Sequence, residues 1–375
     1  MKLNSILSTI LVIVLVLSLC LFVFQNKRLY QEKFDFDYWD WVYSVSQWSQ
    51  VYPEKTVSDA QLYTIAGSKY IRGEDPVNIN PEHPPLGKYL IGVSIVLFKN
   101  EKIISLIIGI LALLVFFFLA KKIFEKTFLA WLLVTLFSFE PLFRYQLKTT
   151  LLDLFQLFFA LLAITFFLKA KKNLKFYFPT AILLGCVMAT KAPVSGIILL
   201  VIFLFYLLLR GDFKGLRFLV ICSPLILLVY LSSYLVHFFY NMNLAYFFRY
   251  QQWVADWWTG GNVSWGRVWR LLLTGWWHTW WEGPKFIRDS SWTIAWPLLT
   301  VCSLLSPIFY LRSKKDEKIL LVILWALIYL GFLHTVAIFS RYLLFIFPGL
   351  YILTLFVLVE ATQILAKLRY NLRRK

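Results

Sequence analysis

The sequence predicts an all-α polytopic membrane protein, a single domain over residues 1–375 with about ten transmembrane helices and interfacial helices in a long first outer loop. Three observations lead there. Hydrophobic residues make up 60% of the 375, a share that would give a soluble domain an aggregating surface. Apolar runs of about seventeen residues or more, long enough to cross a bilayer as helix, recur ten times. Basic residues crowd every other connection between those runs.

The runs fall near 4–24, 103–120, 127–143, 149–168, 176–190, 193–209, 217–238, 292–311, 318–339 and 342–366. Only Lys2 precedes the first as a basic residue and no small-residue cleavage site follows Phe24, so it reads as a retained anchor. The first outer loop, about 25–102, holds ten of the twenty acidic residues. Within it Ser58 is a natural N-cap for a helix over Asp59–Tyr70, with Leu62, Ile65 and Ala66 at helical spacing. That helix is expected to lie on the membrane with Asp59 in its first turn, and Gly73, Pro76, Pro81, Pro84 and Pro85 stop it. Tyr89–Phe98 is too short to span and reads as interfacial. A second outer loop, about 239–291, with Trp292 and Trp296 just beyond, carries eleven of the sixteen tryptophans, among them Trp265, Trp280 and Trp281. Indole rings favour the headgroup layer, so short interfacial helices are expected there.

Lys121, Lys122 and Lys126, then Lys169 to Lys175, Arg210 to Arg217, Arg312 to Lys318 (with Lys314 and Lys315), and finally Arg369, Arg373, Arg374 and Lys375 lie on alternate connections. The positive-inside rule then puts both termini in the cytoplasm and the two long loops outside the cell membrane; Lys27 and Arg28 dissent. The net charge of +18 is thus spread over short loops, where nucleic acid would need one basic face. Cys20, Cys186, Cys222 and Cys302 lie inside the runs and suggest neither disulfides nor a metal pair. Asn262-Val263-Ser264 is a glycosylation sequon by pattern.

Polar groups within the bilayer are costly and mark sites. Gln146, Thr149, Asp153 and Gln156 are spaced to share one face of the fourth run, with Arg144 and Lys148 at its outer mouth. Glu140, Lys191, His278 and Arg341-Tyr342 stand at or near other outer ends, whereas His237 and His334 lie on apolar runs and read as hydrogen-bonded core residues. Carboxylates and cations would therefore meet at one membrane face.

Asp59-x-x-x-Tyr63, Tyr70-Ile71 and His83-Pro84-Pro85-Leu86-Gly87-Lys88 together resemble the first extracytoplasmic loop of the dolichyl-phosphate-mannose protein mannosyltransferases, within the GT-C superfamily. Glu140 followed by Gln146-Leu147-Lys148 and Leu151-Leu152-Asp153, Gly185-Cys186 to Thr190-Lys191, Ser290-Ser291-Trp292 to Trp296-Pro297-Leu298, and Arg341-Tyr342 with Pro348 are similar to further segments of those families in the same order. The resemblance implies transfer of a sugar, mannose first, with inversion, from a polyprenyl- or dolichyl-phosphate donor to an acceptor hydroxyl on the outer face, a protein Ser/Thr first. It implies Asp59 as catalytic base, Lys148, Lys191 and Arg341 as donor phosphate ligands, and Asp153, His83, Gln146, Glu140 and Tyr63 as supporting residues. A divalent cation is an open cofactor, with no ligand spacing that demands one.

The chain departs from the pattern in Ala60, where the family has a glutamate associated with the acceptor, and in Lys148, where it has arginine. The second outer loop is also too short for the luminal domain of eukaryotic members. A lipid or cell-envelope glycan acceptor, as for lipid A aminoarabinose transferases, is therefore the nearer alternative. A carrier or flippase is the more distant one, since paired repeats around a midplane site are missing from the sequence.

Overall fold

The computed structural model describes residues 2–259, 266–278, 285–313 and 316–372. The Asn262–Ser264 sequon, Trp265, Trp280, Trp281, Lys314, Lys315, Arg373, Arg374 and Lys375 lie outside the described residues.

The anchor α1 (Lys2–Gln25) is followed by α2 (Lys27–Gln31), α3 (Phe36–Ser44), α4 (Asp59–Tyr70), α5 (Pro76–Ile79) and α6 (Leu86–Phe98). Next come α7 (Ile103–Phe124), α8 (Thr127–Ser138), α9 (Pro141–Leu147), α10 (Asp153–Ala170), α11 (Tyr177–Thr190) and α12 (Pro193–Leu209). The chain continues through α13 (Phe213–Cys222), α14 (Pro224–Ser232), α15 (Leu235–Tyr240), α16 (Leu244–Thr259), α17 (Arg267–Thr274) and the strands β1 (Trp276–His278) and β2 (Phe286–Arg288). It closes with α18 (Ala295–Arg312), α19 (Glu317–Leu333), a 3₁₀ turn over Ser340–Phe345 and α20 (Phe347–Leu372).

Among the described residues six stretches are long and apolar enough to cross a membrane: α1, α7, α10, the α13–α14 run, α18 and α20. The α8–α9 pair, bent by 70°, makes a seventh if it counts as one broken span. This is a multi-pass membrane protein. The other three expected runs are α11, α12 and α19, of 14, 17 and 17 residues. At 1.5 Å per residue they reach about 21–26 Å, short of the roughly 30 Å hydrocarbon core, so length alone does not make ten crossings.

Several expectations need correction. Among the described residues the fold is helical except for one short antiparallel strand pair, in which Trp277 of β1 pairs with Ile287 of β2. The fourth run is not one helix from residue 149: the chain leaves α9 at Leu147 and re-enters helix only at Asp153. Gln146 and Asp153 therefore do not share a helix face, because apolar periodicity carries through a break that Leu151 and Leu152 keep greasy. Helix α4 is not a surface helix either; Leu62–Ser68 and Tyr70 are all buried, on every side of the helix. Trp277 and Trp296 belong to the core, whereas Trp253 and Trp257 stack on each other at the exterior.

Helix α10 is the axis of the core, buried along most of its length and packed by α7, α9, α11 and the 3₁₀ turn. Outside this bundle α4 crosses α6 at backbone contact, since a Cβ on Gly92 would stand 2.4 Å from the Gly67 carbonyl oxygen. The Trp-rich connection folds back over the first loop: Tyr240 donates to the Gly73 carbonyl at 2.9 Å and Tyr250 to that of Pro81 at 2.6 Å. His237 meets the Asp75 carboxylate at 2.9 Å, and His334 Nδ1 meets the Leu330 carbonyl oxygen at 2.8 Å.

The basic connections gather at one end. Glu317 pairs with both Lys171 and Arg210, and Lys318 reaches Glu125 at 2.7 Å. Asp153 starts α10 and Lys169 is in its last turn, so the opposite end of the bundle lies about 27 Å away at 1.5 Å per residue over 18 residues.

Candidate active site

At that opposite end four chain breaks converge, each held by its own hydrogen bonds. The first is the start of α4. Ser58 and Gln61 form a reciprocal capping box, with the Ser58 amide donating to Gln61 Oε1 at 2.9 Å, and this fixes Asp59 in the first turn. One turn on, the fully enclosed Tyr63 ring meets the His83 imidazole edge-on at 5.7 Å.

The second break is the His83-Pro84-Pro85 turn. Two prolines forbid helix before α6, and Lys88 closes the turn from inside: its buried ammonium donates to Asn80 Oδ1 at 2.8 Å, the Asn80 carbonyl at 3.2 Å and the His83 carbonyl at 2.6 Å. Lys88 is thus committed to the loop. Burial, then the positive charges of Lys191, Lys88 and Arg341, hold the His83 imidazole well below its ordinary pKa, so the ring is neutral.

The third break separates α9 from α10. Gln146 Oε1 accepts the Leu154 amide at 2.8 Å and so caps α10, while Thr150 Oγ1 lies 2.6 Å from the Ala60 carbonyl oxygen and 2.9 Å from Thr64 Oγ1. These contacts join the residues around Asp59 to the 148–153 turn, two stretches almost a hundred positions apart. The fourth break lies between α11 and α12, where Gln156 Nε2 reaches the Val187 and Ala192 carbonyls at 3.4 Å and brackets Lys191.

The charged groups form an alternating chain. Asp59 pairs with Arg341 in the 3₁₀ turn, Arg341 Nε lies 3.7 Å from Asp153, and Asp153 pairs with Lys191. Lys191 also sits 4.0 Å from the centre of the Tyr342 ring. Asp153 and Lys191 are 5% exposed at their side chains, whereas Asp59 is 41% exposed, so the chain runs from a dry inner pair to a wet outer carboxylate. It carries two positive and two negative charges.

A cavity of about 430 Å³ opens beside it. Its polar wall includes Glu82, His83, Asp153, Lys191, Gln156 and Gln251, and Val194, Ile197, Val254, Phe332, Leu333 and Val336 supply apolar lining. Glu82 is a carboxylate that sequence reasoning passed over, although it immediately precedes the His83-Pro84-Pro85 motif. Burial, and secondarily the negative charge of Asp59, push its pKa up to about 7.

The structure thus brings together Asp59, Tyr63, His83, Asp153, Lys191 and Arg341. Three expected site residues are not members of the ionic chain. Lys148 ends α9 as its C-cap and its ammonium makes no hydrogen bond or ion pair among the described residues. Gln146 is spent capping α10. Glu140 holds the bundle together, accepting from Trp296 Nε1 at 3.0 Å and from the Tyr351 hydroxyl at 3.1 Å. Arg144 binds Ser18 of α1 and the Ser138 carbonyl. Among the described residues no group of three or more His, Cys, Asp or Glu is placed to hold a metal ion.

No family model matches the sequence, and no curated protein does. Solved structures do resemble it. ArnT from Cupriavidus metallidurans, bound to undecaprenyl phosphate, superposes with a TM-score of 0.57 at 15% identity over 78% of this chain and 54% of that one. The apo state of the same protein gives 0.59 at 16% identity over 80% and 54%. The archaeal oligosaccharyltransferase AglB from Archaeoglobus fulgidus, in complex with an inhibitory peptide and a dolichol-phosphate, gives 0.52 at 14% identity over 83% and 47%. The chain has a GT-C-like fold. It spans about half the length of these structures, and at such identities the match speaks for the fold alone.

Proposed function

We propose that this protein is an inverting glycosyltransferase that moves a sugar from a polyprenyl-phosphate donor to an acceptor hydroxyl at the outer face of the membrane. The observation that carries the reading is Lys191 in the wall of a 430 Å³ cavity with apolar lining, with Arg341 set behind the wall and joined to it through Asp153. A lipid phosphate needs both: buried cations for the charge that develops on the leaving phosphate, and apolar wall for the isoprenoid. The GT-C-like fold, shared with structures solved with undecaprenyl phosphate and dolichol-phosphate, supports the same chemistry.

Docking a phosphate on Arg341 displaces Asp59, its more exposed partner, and leaves Asp153 to orient Lys191. Asp59 and Glu82 are then the carboxylates near the acceptor. Mannose and a protein Ser/Thr are the first donor sugar and acceptor to test, on the strength of the motifs around Asp59 and His83. Ala60, in place of a carboxylate, favours the second reading, a lipid or glycan acceptor. For topology we infer ten crossings, with α11, α12 and α19 completing the set and both termini cytoplasmic. The basic end tied together by Glu317 would then face the cytoplasm.

Purified protein supplied with radiolabelled polyprenyl-phosphate sugars is expected to move label to a peptide, lipid or glycan acceptor. Label moving only from a water-soluble nucleotide sugar would end the reading.

A further inference from the structure

The two carboxylates near the proposed acceptor site are not in equivalent positions. Asp59 is engaged by the Arg341 guanidinium and is not part of the cavity wall. Glu82 is part of that wall, on the turn that Lys88 locks from behind through Asn80 and His83. A proton acceptor must touch the hydroxyl it deprotonates, and of the two only Glu82 faces the cavity. We propose that Glu82 is the catalytic base of the transfer and that Asp59 is a positioning residue, holding Arg341 until the donor phosphate arrives. This rests on the glycosyltransferase reading and deepens it.

The step balances. The acceptor oxygen bonds to the anomeric carbon as the carbon–oxygen bond to phosphate breaks, and that electron pair leaves with the polyprenyl phosphate. The hydroxyl proton passes to Glu82, which returns it to water after product release.

The surroundings of Glu82 match the task. Asp59 from α4 raises its proton affinity, while Lys88 from α6 and Arg341 from the 3₁₀ turn lower it. His83 beside it is neutral, and Asp153 and Lys191 lie along the same cavity as a mutually compensated pair. Burial outweighs the cations, so Glu82 titrates near neutrality, where a base combines useful proton affinity with a populated ionised form. A donor phosphate on Arg341 removes one of the lowering charges. The base therefore strengthens when the donor binds.

The experiment compares wild type, Glu82→Gln, Glu82→Asp and Asp59→Asn, full length in nanodiscs, for turnover of a polyprenyl-phosphate sugar against pH and for binding of undecaprenyl phosphate. Wild-type kcat is expected to rise with pH along an acid limb centred at neutral pH or above. Glu82→Gln should lose about 10²–10⁴-fold in kcat and the limb itself, while binding undecaprenyl phosphate as wild type does. Glu82→Asp should retain the limb at reduced rate, and Asp59→Asn should keep the limb, moved to lower pH by loss of the neighbouring negative charge, while changing KM for the donor. An active wild type with an unimpaired Glu82→Gln overturns this assignment alone, as does an acid limb that vanishes only in Asp59→Asn. A wild type that leaves every lipid-linked sugar untouched overturns it together with the glycosyltransferase reading.

Discussion

A guanidinium between two carboxylates can receive a phosphate only by releasing one of them, and a buried ammonium paired with a single carboxylate cannot lose its partner cheaply. Asp153 and Lys191 are such a pair, each 5% exposed. Lys191→Met leaves Asp153 in a dry site with only Arg341, 3.7 Å away, and should destabilise the protein by about 3–5 kcal/mol, the cost typical of breaking a buried pair. Asp153→Asn combined with Lys191→Met should recover most of that in thermal unfolding and none of the affinity for undecaprenyl phosphate. Recovery of both would make the pair purely structural.

Glu82 gives a second prediction at this scale. Its carboxyl has a pKa of about 7 in the folded protein against 4.5 as the reference value. Between those limits the native state binds more protons than the unfolded one, so stability falls as pH rises through them and the cost is fully present above pH 7. Glu82→Gln removes that cost. The variant should melt with wild type at acid pH and above it at pH 8, a stability gain at the expense of activity.

Among the elements, the α4–α6 crossing sets where Asp59 and His83 stand. A Cβ on Gly92 would lie 2.4 Å from the Gly67 oxygen and 2.4 Å from Ile71 Cγ2, and backbone there cannot yield as a side chain can. Gly92→Ala should cost about 1–3 kcal/mol or more by overpacking and lower donor binding with it. Gly331→Ala in α19, where nothing lies within 4 Å of the added carbon, should be neutral or slightly stabilising. Equal melting temperatures for the two variants would show that the crossing is looser than its geometry.

The same elements explain what could be read from sequence. Helix α4 was legible to the residue, because Ser58, Asp59 and Gln61 carry their capping signal locally. The break at 148–152 was not: Leu151 and Leu152 continue the apolar pattern, and the bond that ties the break in place runs from Thr150 to Ala60, 90 residues away. The architectural role of Lys88 has no local signature, since only the fold shows three oxygens around its ammonium. Lys148 resembled a phosphate ligand by motif, yet its place at the end of α9 leaves it outside the ionic chain. Arg341 and Asp59 are 282 residues apart, so no local pattern could pair them.

Across the whole molecule, charge is divided between its two ends. Among the described residues Glu317 pairs with Lys171 and Arg210 at one end, with Lys318 on Glu125 beside them, and the mixed-charge site occupies the other. Lys and Arg are retained on the cytoplasmic side during insertion, so the interlocked end should be cytoplasmic and the Asp59 loop external. Only an even number of crossings puts both termini on one side, so, with the α8–α9 pair counted as a seventh span, either one or all three of the short helices α11, α12 and α19 must cross as well. In a cysteine-free background, Val51→Cys, at a position 89% exposed in the first loop, should react with an impermeant thiol reagent on intact cells. Lys172→Cys, and tags at both termini, should become accessible only after permeabilisation. Labelling of Lys172→Cys from outside would invert the molecule, and with it the side of the membrane on which any sugar could be transferred.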